Sequence, residues 1–120
     1  MAAQEDGGGT NPAGSTLERL AATIRERREA AADSSYTRLL LDGGVPRCAK
    51  KFGEEAVEVV IASLGEDDKA LEGEAADLIY HLLVLLEVRD VAIDAVLATL
   101  EKRMGLSGLE EKANRGRKES

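Results

Sequence analysis

The 120-residue sequence is poor in cysteine and in long apolar runs, and each absence removes a class of protein. Its one cysteine, Cys48, cannot form an intramolecular disulfide, and the N-terminus lacks the basic and apolar regions of a secretory signal. We therefore expect a cytoplasmic protein. The longest uncharged apolar run, residues 78–86, is too short to span a bilayer, so we expect no membrane partner.

Aromatic residues and basic charge are also scarce. The chain has no tryptophan, two tyrosines, one phenylalanine and a net charge of -7, which argues against a nucleic-acid partner. It has no P-loop motif, and its single histidine and cysteine provide no nucleophilic triad. The acids are concentrated: residues 54–77 contain nine acids and one base, a net charge of -8, whereas the other 96 residues carry +1. The acidic block therefore holds the main chemical signal.

The apolar spacing predicts an all-α domain over residues 15–104, between a disordered glycine-rich arm at 1–14 and a polar tail at 105–120. Ser15 and Glu18 form a capping-box pattern for a first helix that runs to about Ala32. Capping and terminating residues predict four more helices, over 36–41, 46–64, 69–88 and 91–104, with Asp90 able to cap the last. No alternating strand pattern is present.

The third and fourth predicted helices have apolar residues around most of their circumference. Val57, Val60 and Leu64 fall on one side of the third helix, and Ile61 flanks its acidic arc. Such helices need burial on several sides, and the remaining helices are too few to supply it. We therefore predict a homodimer in which these helices form a bundle with their counterparts.

Four acids of the block are predicted to face inward as two pairs, Glu55 with Glu58 and Glu74 with Asp77. A spacing of three residues places each pair on one helix face, and a tight turn between the helices brings the pairs together. Inward carboxylates repel one another unless a cation lies among them, and oxygen ligands favour Mg²⁺, with Mn²⁺ as a substitute. Because Mg²⁺ is usually shared with phosphates, we expect phosphate ester or anhydride chemistry. The alternative is an ordinary solvated helix face.

The segments KKFGEEAVEVVIASL and EGEAADLIYHLLVLL resemble the phosphoribosyl-ATP pyrophosphohydrolases, a branch of the MazG-like all-α nucleotide pyrophosphohydrolases with the motif EExxE followed by ExxD. The segments SSYTRLLLDGG and SGLEEKANR match that branch, and the resemblance covers residues 17–115. It implies a MazG-like helical bundle and Mg²⁺-dependent hydrolysis of phosphoribosyl-ATP to phosphoribosyl-AMP and pyrophosphate, the second step of histidine biosynthesis. It also implies that the metal ligands are Glu55, Glu58, Glu74 and Asp77, and that Glu54 orients water or supports the ligands.

Basic residues precede the acids on the third predicted helix. Lys51 and Arg47 lie one and two turns before Glu55 on the same face, and Lys50 is adjacent in sequence. Cations near a helix N-terminus oppose its dipole, so contact with substrate phosphate is a candidate reason for their presence. The alternative is pairing along the helix, Lys50 with Glu54 and Lys51 with Glu55.

Three further sets of residues are candidates for the site. Ser35, Tyr36 and Thr37 lie at a predicted helix start, where hydroxyls and free N–H groups can hold an anion, although capping alone explains a serine. His81 follows Asp77 by one turn and is either a catalytic base or a buried structural histidine. The predicted tail contains two bases that either fold over a phosphate-rich ligand or only add solubilising charge, Lys112 and Arg115.

Two other functions remain open at this point. A housekeeping dNTP pyrophosphohydrolase of the same superfamily would use the EExxE and ExxD motifs equally well. A non-catalytic helical dimerisation module would carry the acid block as a solvated face. The two enzymes differ in nucleotide preference, and the module differs from both in binding Mg²⁺ only weakly.

Overall fold

The computed structural model describes residues 12–30, 35–65 and 67–105, and these residues form helices without a strand. The helices are α1 Pro12–Glu29, α2 Tyr36–Asp42, α3 Gly44–Gly65, α4 Asp68–Val88 and α5 Ile93–Met104. The predicted all-α class is confirmed. None of these helices combines the length and apolar character needed to cross a membrane. Residues 1–11 of the predicted arm and 106–120 of the predicted tail lie outside the described residues.

Helices α3 and α4 form an antiparallel hairpin; α1 and α2 pack against it, and α5 packs mainly against α1. Gly65 is the last residue of α3, and Asp67 caps α4 by accepting a hydrogen bond from the N–H of Ala70 at 2.9 Å. An aspartate at this position satisfies a free helix N–H and interacts favourably with the helix dipole. The short connection sets the acid-bearing segments of the two helices side by side, as the sequence predicted.

The core lies where α1, α2 and α5 cover the C-terminal half of α4. It contains Ile24, Leu40, Leu41, Cys48, Leu83, Val84 and Ile93. The Cys48 thiol donates to the carbonyl oxygen of Leu40 at 3.2 Å, and burial raises the pKa of this thiol. A protonated, buried thiol is a poor nucleophile, so Cys48 serves to pack α3 against α2.

The start of α1 differs from the prediction. The helix begins at Pro12, three residues before Ser15, so the predicted capping box does not mark its N-terminus. Glu18 instead lies against the carboxylate of Asp94 on α5. A hydrogen bond between the two carboxyl groups and their charge repulsion raise the pKa of Glu18. Both effects depend on a residue of α5, which the local sequence pattern around Glu18 could not indicate.

Asp90, predicted as the cap of α5, pairs with α1 instead. The N-cap of α5 is Ala92, which makes no side-chain capping bond, and the helix begins at Ile93. Asp90 adopts a left-handed conformation with φ 58°, and its carboxylate accepts a hydrogen bond from Arg28 at 2.9 Å. Arg28 also donates to the carboxylate of Glu87 at 2.8 Å and to its carbonyl oxygen at 2.9 Å. This guanidinium therefore ties the end of α4 to α1.

One apolar face of α3 is left uncovered. Val57, Val60, Ile61 and Leu64 are each half exposed or more, with Leu64 at 83%, and we call these four residues the α3 face. Ala62 lies on the other side of the helix and is buried. Large contiguous apolar patches are uncommon on the free surface of a protein, so the α3 face has the character of a contact surface.

Candidate metal and phosphate site

Three of the four predicted ligands meet between α3 and α4. Glu55, Glu74 and Asp77 each place one carboxylate oxygen within 4.8 Å of the others. Glu55 and Glu74 are half-buried and Asp77 is exposed, so the group lies at the edge of the hairpin and is open to solvent. Glu58 is exposed and lies outside this group. We call Glu55, Glu74 and Asp77 the acid site.

The donor set of the acid site fits a hard divalent cation. Three carboxylates this close repel one another, and a cation among them removes that repulsion. Oxygen-only donors match Mg²⁺ and Mn²⁺ better than softer metals, which favour nitrogen and sulfur. A few protein carboxylates with room for water and phosphate oxygens are the usual surroundings of Mg²⁺.

Lys51 connects the acids to α2. Its Nζ atom lies 3.4 Å from Oε1 of Glu54 and 4.0 Å from Oε2 of Glu55. The charge interaction with Tyr36 on α2, followed by the hydrogen bond to Glu54, raises the pKa of Lys51. The predicted ion pairing along the helix is therefore present at Lys51, whereas Glu54 pairs with Lys51 rather than with Lys50. The Lys51 side chain remains 32% exposed, so its ammonium group is still accessible to a phosphate.

Arg47 and Lys50 are exposed on α3. The aliphatic stem of Arg47 lies over the turn between α2 and α3, where a Cβ atom at Gly43 would be only 2.3 Å from Cδ of Arg47. Glycine at this position therefore allows the arginine stem to pack close to the turn. The two exposed bases stand on the helix that carries Glu55, nearer its N-terminus, as the sequence predicted.

The predicted phosphate-binding hydroxyls of α2 take part in the fold. Ser35 is the N-cap of α2 and accepts a hydrogen bond from the N–H of Arg38 at 3.2 Å. Thr37 is only 2% exposed, and its hydroxyl is hydrogen-bonded to that of Tyr80 on α4. Capping thus accounts for Ser35. The long-range partner of Thr37 gives no signal in the local sequence.

Three rings form a cluster between α2 and α4 that the sequence analysis missed. The rings of Tyr36 and Tyr80 lie nearly parallel at 20°, with their centroids 6.4 Å apart. The ring of His81 is edge-on to both, at 6.2 and 5.0 Å. His81 is 6% exposed, and burial lowers its pKa, although the negative charge of Glu55 opposes this effect. The imidazole is therefore packed and neutral at pH 7, which agrees with the structural interpretation of this histidine.

The remaining predicted site residues, Lys112 and Arg115, lie outside the described residues. All the other predicted site residues lie on α2, α3 and α4 or, for Ser35, at the start of α2. The structure thus brings the acids, Lys51 and the ring cluster together at one side of the hairpin.

Comparison with known proteins matches the same part of the chain. Residues 17–104 match the family model described as phosphoribosyl-ATP pyrophosphohydrolase. The chain is 59% identical over 101 residues to a phosphoribosyl-ATP pyrophosphatase of Erythrobacter litoralis, an alignment that covers 84% of this chain and 97% of the relative. It is 55% identical over 102 residues to one from Cereibacter sphaeroides, covering 85% and 99% of the two chains. The chain belongs to the phosphoribosyl-ATP pyrophosphohydrolase family.

Proposed function

We propose that the acid site carries out the hydrolysis of phosphoribosyl-ATP to phosphoribosyl-AMP and pyrophosphate, the second step of histidine biosynthesis, with Mg²⁺ as the cofactor. The observation that carries this proposal is the convergence of three carboxylate oxygens within 4.8 Å on the motif residues of the family. The identity to proteins named phosphoribosyl-ATP pyrophosphatase supports this substrate over an ordinary dNTP. The reaction belongs in the cytoplasm, where nucleotide substrates are available.

The metal ligands in this proposal are Glu55, Glu74 and Asp77, and Mn²⁺ is a substitute for Mg²⁺. When bound, the cation supplies charge neutralisation for the pyrophosphate leaving group and lowers the pKa of the attacking water. Glu58 lies one turn after Glu55 and remains a candidate fourth ligand from the family motif. The role proposed for Glu54, whose Oε1 lies 3.4 Å from Nζ of Lys51, is to orient water beside the ligands.

The bases of α3 have the chemistry to bind the polyphosphate. The Lys51 ammonium stands against the Glu55 carboxylate, so a phosphate oxygen shared with the acid site would also reach this cation. Arg47 and Lys50 are exposed nearer the start of the helix and extend the positive charge away from the acids. Positive groups around a hydrolysed anhydride stabilise the charge that spreads over its oxygens in the transition state.

The test of the acid site is Glu55→Gln, which keeps the size of the side chain and removes its charge. We expect turnover of phosphoribosyl-ATP, measured as pyrophosphate release, to fall about 100-fold or more, and Mn²⁺ binding by calorimetry to weaken in parallel. The matched control is Glu72→Gln, an exposed acid on α4 that pairs with Lys69 and lies outside the acid site. This control should retain both properties.

Three results would contradict the proposal. Near-normal turnover by the Glu55→Gln protein would refute the assignment of Glu55 as a metal ligand. Equal hydrolysis of a dNTP panel by the wild type would favour the housekeeping alternative. Metal binding no tighter than that of an unstructured carboxylate, together with no turnover, would favour the non-catalytic module. A separate Glu58→Gln variant tests whether the exposed fourth acid also binds the metal. If it does, turnover and Mn²⁺ affinity should fall as far as they do in Glu55→Gln.

We further propose that two chains associate through the α3 face. Four apolar side chains that are half exposed or more on one helix support this assembly, because their burial removes apolar area from water. Val60→Asp, at the middle of the face, should shift sedimentation equilibrium at micromolar concentration from dimer to monomer. Leu100→Asp, a half-exposed leucine on α5, is the control and should leave the dimer intact. A wild-type monomer with a cooperative melt would refute the assembly.

A further inference from the structure

One ring of the aromatic cluster is partly uncovered. Tyr36 is 51% exposed, although one side of its ring stacks on Tyr80 and His81 meets it at right angles. Within the described part of the chain, no further ring lies against it. An aromatic ring with one covered and one open face is suited to stack on another planar group.

The ring of Tyr36 is held in place before any ligand arrives. Its neighbour Thr37 is buried and bonded to the Tyr80 hydroxyl, which fixes the first turn of α2 to α4. Tyr80 and His81 then support the ring of Tyr36 from two directions. A surface that is already ordered loses little conformational entropy on binding, so its contacts contribute more fully to affinity.

The open ring lies next to the charged part of the site. Lys51 interacts electrostatically with Tyr36 on one side and with Glu54 and Glu55 on the other. An aromatic surface, a cation and a group of metal-binding carboxylates therefore follow one another from α2 to α4. A purine nucleotide presents matching groups in the same order, namely a planar base followed by a polyphosphate.

We propose that Tyr36 is a specificity-determining residue whose open ring face stacks on the purine of the nucleotide substrate, while Lys51 and the acid site bind its polyphosphate. This inference rests on the proposed function. The contact is made by the ring and not by the phenolic hydroxyl. Stacking persists unchanged from the bound substrate to the transition state because the base is remote from the hydrolysed anhydride, so the ring contributes to KM and not to kcat.

The kinetic test compares three variants with the wild type, using phosphoribosyl-ATP as substrate. Tyr36→Ala should raise KM about 5-fold or more with kcat nearly unchanged, which is the range expected for loss of one base–aromatic stack. Tyr36→Phe keeps the ring and should restore KM to within about twofold of the wild type. Leu39→Ala, an exposed apolar residue one turn along α2, is the matched control and should retain the wild-type KM.

A second measurement uses the composition of the chain. With two tyrosines and no tryptophan, the ultraviolet emission comes from Tyr36 and Tyr80 alone. Titration with ATP, corrected for nucleotide absorbance, should quench this emission in the wild type, whereas tripolyphosphate, which lacks a base, should not. The Tyr36→Phe protein retains only Tyr80, which is half-buried and stacks on the other side of the ring at position 36, and ATP should then cause much less quenching.

The outcomes separate this inference from the function on which it rests. A wild-type protein without pyrophosphohydrolase activity overturns the proposed function, and the ATP titration then still decides whether the ring stacks on a base. Tyr36→Phe with a KM as poor as that of Tyr36→Ala would assign the contact to the hydroxyl and overturn the stacking proposal. So would equal quenching by tripolyphosphate, or a change of association state in Tyr36→Ala, which would place the ring between two copies of the chain.

Discussion

The hydrogen bond between Thr37 and Tyr80 offers the sharpest test of the structure. Tyr80→Phe removes one hydroxyl and leaves that of Thr37, which is 2% exposed, without its partner and without access to water. A buried polar group that loses its partner destabilises a protein by about 1–3 kcal/mol. Thr37→Val leaves the Tyr80 hydroxyl without its partner, but the Tyr80 side chain is only half-buried. We therefore expect a smaller loss of stability, near the lower end of that range.

The Thr37→Val/Tyr80→Phe double variant shows whether the two single variants act on one shared hydrogen bond or independently. When both hydroxyls are absent, no unpaired group remains, so the double variant should be more stable than the sum of the single losses predicts, by about 1 kcal/mol. The assay is urea unfolding followed by circular dichroism at one fixed protein concentration, because association also contributes to stability. Thr99→Val, an exposed threonine on α5, is the control and should change stability by no more than about 0.5 kcal/mol.

The same variants decide between two roles for Thr37. If its hydroxyl bound substrate phosphate, as the sequence suggested, Thr37→Val would raise KM without lowering the free energy of unfolding. If the stability losses of the two single variants simply add in the double variant, the two hydroxyls are not coupled. A loss of stability with a KM close to the wild type supports the structural role.

Two other predictions concern charged groups on α1, α4 and α5. The folded pKa of Glu18 is raised above its ordinary value of 4.5 by Asp94, so its stabilising contribution is present below pH 4.5 and is lost as pH rises through the folded pKa. Glu18→Gln should therefore raise Tm at pH 7 but not at pH 4, and an equal change at both pH values would contradict this reasoning. Glu87→Gln, in an 8% exposed position between two arginines, should lower the free energy of unfolding in urea by about 1–3 kcal/mol. Asp42→Asn, at an exposed ion pair, should change the free energy of unfolding by less than about 1 kcal/mol. If Asp42→Asn and Glu87→Gln lowered it equally, burial would not explain the strength of the Glu87 interaction.

Local patterns predicted the parts of the molecule that depend on one helix or one turn. The hairpin of α3 and α4 was predicted from residues a few positions apart, and in the structure Gly65 ends α3 and Asp67 caps α4. Three of the four predicted acids follow in the same way, because helical spacing and one short connection bring Glu55 and Asp77 together, whereas Glu58, predicted by the same spacing, is exposed and lies outside the group.

The failures at Asp90 and Thr37 involve partners that are distant in sequence. Asp90 has the composition of a helix cap, but Arg28 binds its carboxylate from α1. Thr37 resembles an exposed phosphate ligand until Tyr80 covers it from α4. Helical periodicity specifies which face a side chain lies on, but it does not identify the residue of another helix that this face meets. The ring cluster was missed for the same reason, since α2 and α4 are separated by the whole of α3.

The hairpin that carries the acid site also bears on how the protein folds. Its two helices are joined by a very short connection, so the chain entropy lost on bringing their carboxylates together is small compared with that of joining α1 to α5. Contacts that are short-range in sequence form quickly, and we expect the hairpin to belong to the early part of the folding reaction. On the function proposed above, a cation bound by the three carboxylates would also hold α3 and α4 together. Such an ion would then stabilise the folded protein in addition to its proposed part in the reaction.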